Sequence, residues 1–278
     1  MARVLITEEL AQPGIELLRS KGHDVQISLD LSPDDLFATI AETDALIVRS
    51  ATEVDKRLLD EAHRLQVIGR AGVGLDNVDI ATATSRGILV CNAPESNVVS
   101  AAEHSVALLL ALARNVAQAH SALTQGRWER SLWTGTELLN KTVGIVGLGR
   151  VGRLVAQRLK GFDVRILAFD PFVSSESARA VNAEMVELDD LLSQSDFVTV
   201  HLPRTPETAG LFDAERFTKF KPGARLVNAA RGGVVIEDDL LEALESGHLG
   251  GAALDVFDTE PKLHSPLFTR EDLSLIHI

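Results

Sequence analysis

The chain has 278 residues, of which 45% are hydrophobic and 24% are charged, and its formal net charge is −13. This length exceeds one typical domain and predicts two domains with buried cores. The acidic balance gives no support to nucleic-acid binding, which needs a basic patch, or to adhesion to an anionic membrane surface. Cys91 is the only cysteine, so no disulfide can form within the chain. Its apolar neighbours predict a small core residue.

Two further features bear on the compartment. The N-terminal residues become acidic at Glu8 and Glu9 before an apolar signal region develops. The longest apolar stretch, Val106–Ala113, is too short to span a bilayer. These features predict a cytoplasmic protein.

Residues 1–92 alternate short apolar runs with helical segments, which predicts a parallel sheet with helices on both faces. The predicted strands are Val4–Thr7, Asp24–Ser28, Ala45–Arg49, Gln66–Arg70 and Ile88–Cys91. The predicted helices are Gly14–Lys21, Pro33–Glu42, Asp55–His63 and Val78–Arg86, with Ser32 as a cap for the second. No G-x-G-x-x-G motif occurs in this half.

A long helix rich in Ala and Leu is predicted from Ser100 to Gln125. Its apolar residues occupy nearly all sides through Val106–Ala113, which predicts burial between domains or between subunits. We therefore expect a homodimer or a higher homo-oligomer.

A second alternation of strands and helices follows that helix. The predicted strands are Val143–Gly147, Val164–Phe169, Glu184–Val186, Phe197–Leu202, Arg225–Ala229 and Ala252–Val256. The predicted helices are Val151–Gly161, Leu188–Gln194, Ala214–Phe220 and Glu237–Ser246. The chain is thus expected to be α/β, with two doubly wound parallel-sheet domains at residues 1–97 and 98–278. The second would be a Rossmann dinucleotide-binding domain.

The most informative motif of the chain begins that second domain. A β-branched strand leads into Gly147-Leu-Gly149-Arg-Val-Gly152 and then directly into a helix. Gly147 permits a tight turn, Gly149 lets the backbone approach a pyrophosphate, and Gly152 allows the helix to pack on the strand. The pyrophosphate would lie on the positive end of the helix dipole.

An acid at the end of the next strand indicates which dinucleotide is bound. Asp170 follows Val164–Phe169 and can accept hydrogen bonds from both adenosine ribose hydroxyls. An NADP site would need a basic residue nearby, but Pro171 and Phe172 follow Asp170. The motif and the acid together predict NAD as the cofactor. No metal-ligand spacing occurs in the sequence, so we expect no metal.

Two later strand ends carry candidate catalytic residues. Arg231 lies among glycines and could hold a carboxylate through two parallel hydrogen bonds. Glu260 precedes Pro261, which restricts its backbone to extended geometry. Read alone, the sequence favours a surface arginine for Arg231 and a solvated loop acid for Glu260 over catalytic roles.

Over residues 3–268 the chain resembles the D-isomer-specific 2-hydroxyacid dehydrogenases. The resemblance rests on Leu46-Ile-Val-Arg49-Ser-Ala-Thr, Val67-Ile-Gly-Arg70-Ala-Gly-Val-Gly-Leu-Asp-Asn-Val-Asp79, Asn92-Ala-Pro, Ser100-Ala-Ala-Glu-His104, Gly126-Arg-Trp-Glu-Arg130, Gly144–Gly152, Asn228-Ala-Ala-Arg-Gly-Gly233 and Gly251-Ala-Ala-Leu-Asp-Val-Phe257.

The resemblance assigns roles to the catalytic candidates. It implies that Arg231 holds the carboxylate and carbonyl oxygen of the substrate. It implies that Glu260 orients a catalytic histidine and raises its pKa. That histidine would take the hydroxyl proton as hydride leaves for the nicotinamide.

His277 departs from the family pattern at the position of that histidine. It lacks the preceding Pro, and only Ile278 follows it. Leu273–Ile278 also begins what reads as another strand. We expect that the native sequence is lost near Leu273; the alternative is that His277 is a displaced equivalent of the catalytic residue.

The resemblance also implies the binding residues. Contacts to NAD are expected from Gly147, Gly149, Arg150, Val151, Gly152, Asp170, Thr205, Ala229, Ala230, Arg231 and Asp255. Contacts to substrate are expected from Arg49, Arg70, Val73 and Gly74, and the two arginines favour a phosphorylated 2-hydroxy acid.

The expected reaction is the NAD-dependent oxidation of D-3-phosphoglycerate to 3-phosphohydroxypyruvate, the first step of serine biosynthesis. Two alternatives stay open at this point. The substrate could be glyoxylate, glycerate, hydroxypyruvate or another 2-hydroxy acid, or the protein could be a non-catalytic NAD-sensing corepressor.

Overall fold

The computed structural model of the chain describes residues 1–29, 31–260, 264–270 and 273–276. The chain divides into two compact units, Met1–Asn97 and Val98–Ile278. Each contains one parallel sheet.

The first unit is built on a five-stranded sheet in the order β2-β1-β3-β4-β5. Its strands are β1 (Arg3–Ile6), β2 (Asp24–Ile27), β3 (Ala45–Val48), β4 (Val67–Arg70) and β5 (Leu89–Asn92). Its helices are α1 (Gln12–Ser20), α2 (Pro33–Ile40), α3 (Lys56–Glu61) and α4 (Ile80–Ser85). Every strand and helix predicted for this half is present, and the Ser32 side chain caps α2 by accepting from Asp35 N.

Side chains of this sheet alternate between two cores, as the pleat of a strand requires. Leu5 and Leu46 pack with residues of α2, α3 and α4. Val4 and Ile6 pack with Ile15 of α1 on the other face. Cys91 is exposed, so its predicted place in the core was wrong. The reason is that β5 is an edge strand, and an apolar run on an edge is not covered on all sides.

The second unit contains a seven-stranded sheet in the order β12-β11-β10-β9-β6-β7-β8. Its strands are β6 (Thr142–Val146), β7 (Arg165–Phe169), β8 (Ala183–Met185), β9 (Phe197–Val200), β10 (Ala224–Asn228), β11 (Leu249–Leu254) and β12 (Leu273–Leu275). Its helices are α5 (Val98–Arg114), α6 (Val116–Thr124), α7 (Arg150–Leu159), α8 (Ser175–Arg179), α9 (Leu188–Gln194), α10 (Ala214–Phe217) and α11 (Glu237–Glu245).

Helices cover both faces of this sheet, which confirms the doubly wound α/β prediction. Side chains of α9, α10 and α11 pack on one face, and those of α5, α7 and α8 pack on the other. The chain order reverses between β6 and β9, and such a switch point leaves a crevice at the carboxyl ends of the strands.

The predicted helix Ser100–Gln125 is broken in the structure. Asn115 adopts a left-handed conformation with φ 51°, and α5 and α6 meet there at a bend of 62°. Within the described residues no single helix is long and apolar enough to cross a membrane, although this bent pair passes on length and composition alone. The short helix α8 was not predicted.

The apolar stretch Val106–Ala113 is covered mainly within its own unit. Leu108, Leu109, Leu112 and Ala113 are buried in one core with residues of α7 and the sheet. One face of the seven-stranded sheet thus covers most of this stretch, while Ala107 is exposed and Val106, Leu110 and Ala111 are partly exposed. Burial of the rest between domains or subunits stays a prediction.

Candidate functional site

The glycine loop between β6 and α7 has the geometry that its sequence predicts. Gly147 has φ 96°, and a Cβ atom there would lie 2.7 Å from the carbonyl oxygen of His201. A Cβ on Gly152 would lie 2.1 Å from the carbonyl oxygen of Gly147. Gly149 differs, because a Cβ on it would meet nothing within 4 Å. The space above Gly149 is thus open for a ligand, while the other two glycines are needed by the fold itself.

The first turn of α7 supplies the donors for an anion at this loop. Gly149 is the N-cap of α7, and the helix begins with Arg150, Val151 and Gly152. The first backbone N–H groups of a helix have no partner within the helix, and its dipole is positive at that end. A pyrophosphate group therefore fits the open space at Gly149 on both shape and charge.

Asp170 follows β7 and is bonded directly to the glycine loop. Its Oδ2 accepts a hydrogen bond from Leu148 N at 2.8 Å, and its Oδ1 accepts one from Phe172 N at 2.9 Å. Each carboxylate oxygen can accept a further bond, which is what two ribose hydroxyls would need.

A cavity of about 990 Å³ opens beside this loop. Four of the predicted cofactor residues line it: Gly147, Gly149, Asp170 and Thr205. Its other walls come from residues that the sequence did not indicate: Phe169, Pro171, Phe172, Glu187, Leu188, Asp189, His201, Leu202, Pro203, Glu207, Thr208, Leu211 and Arg216. The only basic side chains among them are His201 and Arg216, and Arg216 forms an ion pair with Asp189.

His201 contributes a neutral wall to the cavity. Its Nε2 lies 3.1 Å from the Thr199 hydroxyl, within hydrogen-bond distance. Burial lowers the pKa of His201 to about 4. The imidazole is therefore uncharged near neutral pH and adds no positive charge for a phosphate.

The remaining catalytic candidates lie at the ends of β10 and β11, outside the lining of that cavity. Asn228 is the last residue of β10. Its side chain donates to Arg231 O at 3.0 Å and accepts from Ala230 N at 3.1 Å. The turn then contains Ala229, Ala230 and Arg231. The Arg231 guanidinium donates to Ala230 O at 2.7 Å.

The turn after β10 packs directly on the segment after β11. A Cβ on Gly232 would lie 1.6 Å from the carbonyl oxygen of Phe257, so only glycine permits this approach. The N–H of Phe257 in turn donates to Glu260 Oε1 at 2.9 Å. This packing brings the neighbours of Arg231 against the segment that fixes the Glu260 carboxylate.

Asp255 follows β11 and faces His104, a histidine for which the sequence predicts no role. Asp255 is buried, and His104 Nε2 of α5 lies 3.2 Å from its Oδ1. The two atoms lie within ion-pair distance, but the angles between them are not those of a hydrogen bond. The pairing could not be recognised in the sequence, because helix and strand spacing do not show which two elements meet.

The candidate substrate residues lie in the first unit. Arg49 follows β3 and is exposed. Arg70 ends β4 and packs on Gly72, where a Cβ would meet its Nη1 at 1.5 Å. Val73 and Gly74 continue that loop, and Val73 O accepts from the Asn92 amide at 2.7 Å.

His277 lies outside the described residues. Among those that the structure describes, no three His, Cys, Asp or Glu side chains converge to form a possible metal site.

Comparison with known proteins identifies the family. Residues 106–276 match the family model of the D-isomer specific 2-hydroxyacid dehydrogenase, NAD binding domain. The chain belongs to this family. The second unit therefore carries its NAD-binding domain, which agrees with the glycine loop and Asp170.

Curated relatives support the same assignment. The chain is 52% identical over 267 residues to a D-3-phosphoglycerate dehydrogenase of Mycobacterium leprae, which covers 95% of this chain and 50% of the relative. It is 50% identical to D-3-phosphoglycerate dehydrogenase 2, chloroplastic, of Arabidopsis thaliana, over 93% of this chain and 42% of the relative. The chain thus spans about half the length of the curated relatives that it matches.

A solved structure shows the same fold. The NAD-dependent formate dehydrogenase of Staphylococcus aureus in complex with NAD has a TM-score of 0.88 and 34% identity, covering 100% of this chain and 88% of that one.

Proposed function

We propose that the protein oxidises D-3-phosphoglycerate to 3-phosphohydroxypyruvate, with NAD as hydride acceptor. The observation that carries this proposal is the bond between Leu148 N and Asp170, which joins the glycine loop to an acid that lines the cavity. The names of the curated relatives point to this substrate.

In this proposal the second unit holds the cofactor. Gly147, Gly149, Arg150, Val151 and Gly152 bind the pyrophosphate. Asp170 binds the adenosine ribose. The other residues that we propose as cofactor contacts follow β9, β10 and β11 in the chain: Thr205, Ala229, Ala230, Arg231 and Asp255. When bound, NAD supplies the acceptor for the hydride that leaves the substrate carbon.

Arg231 and Glu260 are the catalytic residues in this proposal. Arg231 holds the substrate carboxylate, because a guanidinium can donate two parallel hydrogen bonds to it. Glu260 orients the histidine that takes the hydroxyl proton, and its own carboxylate is held by Phe257 N at 2.9 Å.

Residues of the first unit give the preference for a phosphorylated substrate. Arg49 and Arg70 bind the phosphate, and the backbone at Val73 and Gly74 completes the contact. The loop after β4 is held by the bonds from Asn92 Nδ2 to Val73 O and from Ala93 N to Gly72 O. A loop held in this way keeps Arg70 in one place for an incoming anion.

Substrate charge tests the proposal. In the intact protein, Arg49→Ala and Arg70→Ala should each weaken reduction of 3-phosphohydroxypyruvate far more than reduction of hydroxypyruvate, by about tenfold or more in kcat/KM. Arg19→Ala, which removes another arginine of the first unit, is the matched control. Equal losses on both substrates would support a general 2-hydroxyacid dehydrogenase. NAD binding without oxidation of any 2-hydroxy acid would support the NAD-sensing alternative.

We also propose a homodimer. Several apolar side chains of α6 and the segment after it are exposed: Val116 by 54%, Leu123 by 58%, Trp128 by 84% and Leu132 by 67%. Exposed apolar residues in one region are typical of an interface. Light scattering of the intact protein should give twice the monomer mass, and Trp128→Glu should shift that mass toward the monomer. A monomeric wild-type protein at micromolar concentration would contradict this.

The cytoplasm is the location that we propose, since the exposed thiol of Cys91 would stay reduced there. Fractionation of cells that express the intact protein would test this location.

A further inference from the structure

Glu8 lies at the carboxyl edge of the first sheet, beside the segment that follows β3. The two strands β1 and β3 pair in parallel, with Ile6 opposite Ile47, so the segments after them emerge at the same edge. We refer to residues 49–52, Arg49-Ser-Ala-Thr52, as the Arg49 loop. The hydroxyls of Thr7 and Thr52 lie 2.8 Å apart and hold the two segments together.

The Glu8 carboxylate accepts hydrogen bonds from every backbone N–H of the Arg49 loop. Its Oε1 accepts from Arg49 N at 2.8 Å and from Thr52 N at 3.0 Å. Its Oε2 accepts from Ser50 N at 3.1 Å and from Ala51 N at 3.0 Å. One side chain therefore fixes the direction of four consecutive peptide groups.

Asn77 holds the same loop through its carbonyl groups. Its Nδ2 donates to Arg49 O at 2.9 Å and to Thr52 O at 2.6 Å, the first and last residues of the loop. Asn77 follows the Arg70–Gly74 segment in the chain, and its own carbonyl accepts from Val54 N at 2.8 Å. The loop is thus held between Glu8 and Asn77.

These bonds matter more for the position of the Arg49 loop than for the free energy of unfolding. Arg49, Ser50 and Ala51 are exposed, so water could satisfy their N–H groups if the carboxylate were absent. Partial burial raises the pKa of Glu8, but the backbone hydrogen bonds from Ala51, Arg49 and Thr52 lower it more, and the net pKa lies below the ordinary value. The carboxylate is therefore ionised near neutral pH, and its bonds to the loop are charge-assisted.

The arrangement also decides what the loop can offer to an anion. The N–H groups of residues 49–52 point at Glu8 and are not directed at a substrate. The positive charge that this loop can offer to a substrate anion is the Arg49 guanidinium, and the backbone that Glu8 and Asn77 hold sets where that side chain begins.

We propose that Glu8 and Asn77 are positioning residues that orient Arg49 toward the phosphate of the substrate. This inference rests on the proposed function. It assigns two residues, one from each side of the loop, that act through the backbone of Arg49.

The experiment compares Glu8→Gln with Glu9→Gln in the intact protein. Glutamine keeps the size of Glu8 but replaces one acceptor oxygen by an NH₂ group, which faces backbone donors. Glu9 is the adjacent exposed acid and serves as the control. Glu8→Gln should raise the KM for D-3-phosphoglycerate by about fivefold to tenfold, with kcat changed by less than about twofold and NAD affinity unchanged. Asn77→Ala should do the same.

A double-mutant cycle with Arg49→Ala tests whether Glu8 affects the KM through Arg49. If Glu8 acts through Arg49, Glu8→Gln should add less than about twofold to the KM of the Arg49→Ala variant. Amide hydrogen exchange gives a second readout, since the four N–H groups of the Arg49 loop should exchange faster in Glu8→Gln than in Glu9→Gln.

Two outcomes would overturn the inference while leaving the proposed function intact. The first is an active wild-type protein whose Glu8→Gln variant has the same KM for D-3-phosphoglycerate as its Glu9→Gln variant. The second is a KM increase that is fully additive with Arg49→Ala. By contrast, a wild-type protein that oxidises no 2-hydroxy acid would overturn the proposed function itself.

Discussion

Leu148 donates its backbone N–H to the Asp170 carboxylate at 2.8 Å, joining the glycine loop to the acid at the end of the neighbouring strand. The bond holds the carboxylate beside the open space above Gly149. It also makes the position of the acid depend on the glycine loop. In the proposed function, this hydrogen-bonded unit would bind both the pyrophosphate and the adenosine ribose of NAD.

Cofactor preference should depend on Asp170. The Asp170→Asn variant removes the charge that would repel a 2′-phosphate and weakens the acceptance of ribose hydrogen bonds. We expect NAD affinity to fall by about tenfold and the preference for NAD over NADP to narrow. Titration of both cofactors measures this, with Glu187→Gln as a control in the same cavity. Wild-type binding of NADP as tight as that of NAD would contradict the assignment.

Two glycines of one loop should respond differently to alanine. Gly149→Ala adds a Cβ with no protein atom within 4 Å, so folding should be unaffected and the Tm should stay within about 2 °C. The same methyl group occupies the space for the pyrophosphate, and NAD affinity should fall by at least about tenfold.

Gly152→Ala instead places a Cβ 2.1 Å from Gly147 O and should destabilise the domain by more than about 2 kcal/mol. Thermal unfolding and NAD titration of the two variants separate these effects. Equal behaviour of the two would contradict the roles given to them.

The free energy of unfolding should depend on pH through the protonation of His201. Its native pKa is about 4, whereas its ordinary value is 6.5, because burial disfavours the charged imidazole. Between these two pH values the unfolded chain binds more protons, so the free energy of unfolding falls as the pH falls. The loss should reach about 2 kcal/mol from about pH 7 to about pH 5.

Denaturant unfolding of wild type and His201→Gln over that range measures the effect. Burial raises the pKa of Asp196, but hydrogen bonds from Lys221 and Thr142 N lower it more, to below the ordinary value of 3.8. Carboxyl groups of this kind contribute mainly at lower pH. In the variant, the free energy of unfolding should depend less steeply on pH, because the contribution of His201 is lost. The same pH dependence in both proteins would show that His201 titrates normally in the folded protein.

Substitution of Arg231 should affect catalysis more than cofactor binding. Arg231→Lys keeps a positive charge but loses the planar fork that grips a carboxylate. We expect kcat/KM to fall by roughly 100-fold, and NAD affinity, to which Arg231 also contributes in the proposed site, to fall by a much smaller factor. Arg165→Lys, at the exposed start of β7, is the control. A variant with wild-type kcat/KM would remove Arg231 from the catalytic residues.

The sequence alone determined the parts of this protein that depend on local spacing. The strands of both sheets, most helices and the turn at Gly147 follow from patterns of a few residues, because helices and strands bury side chains at fixed periods. The NAD assignment was also local, since the glycines and Asp170 belong to one strand–helix–strand unit. Two predictions, the unbroken helix Ser100–Gln125 and the buried Cys91, were wrong for reasons that the spacing of apolar residues does not show. Asn115 takes a left-handed conformation that ends α5, and Cys91 lies on an edge strand.

Tertiary structure decided which distant residues meet. Glu8 holds the Arg49 loop only because β1 and β3 are neighbours in the sheet, and His104 reaches Asp255 only because α5 packs beside β11. Strand order and helix packing are set by the summed burial of many side chains and not by any short motif. For this reason the sequence indicated the residues at the strand ends, while the structure showed the bonds that hold them in place.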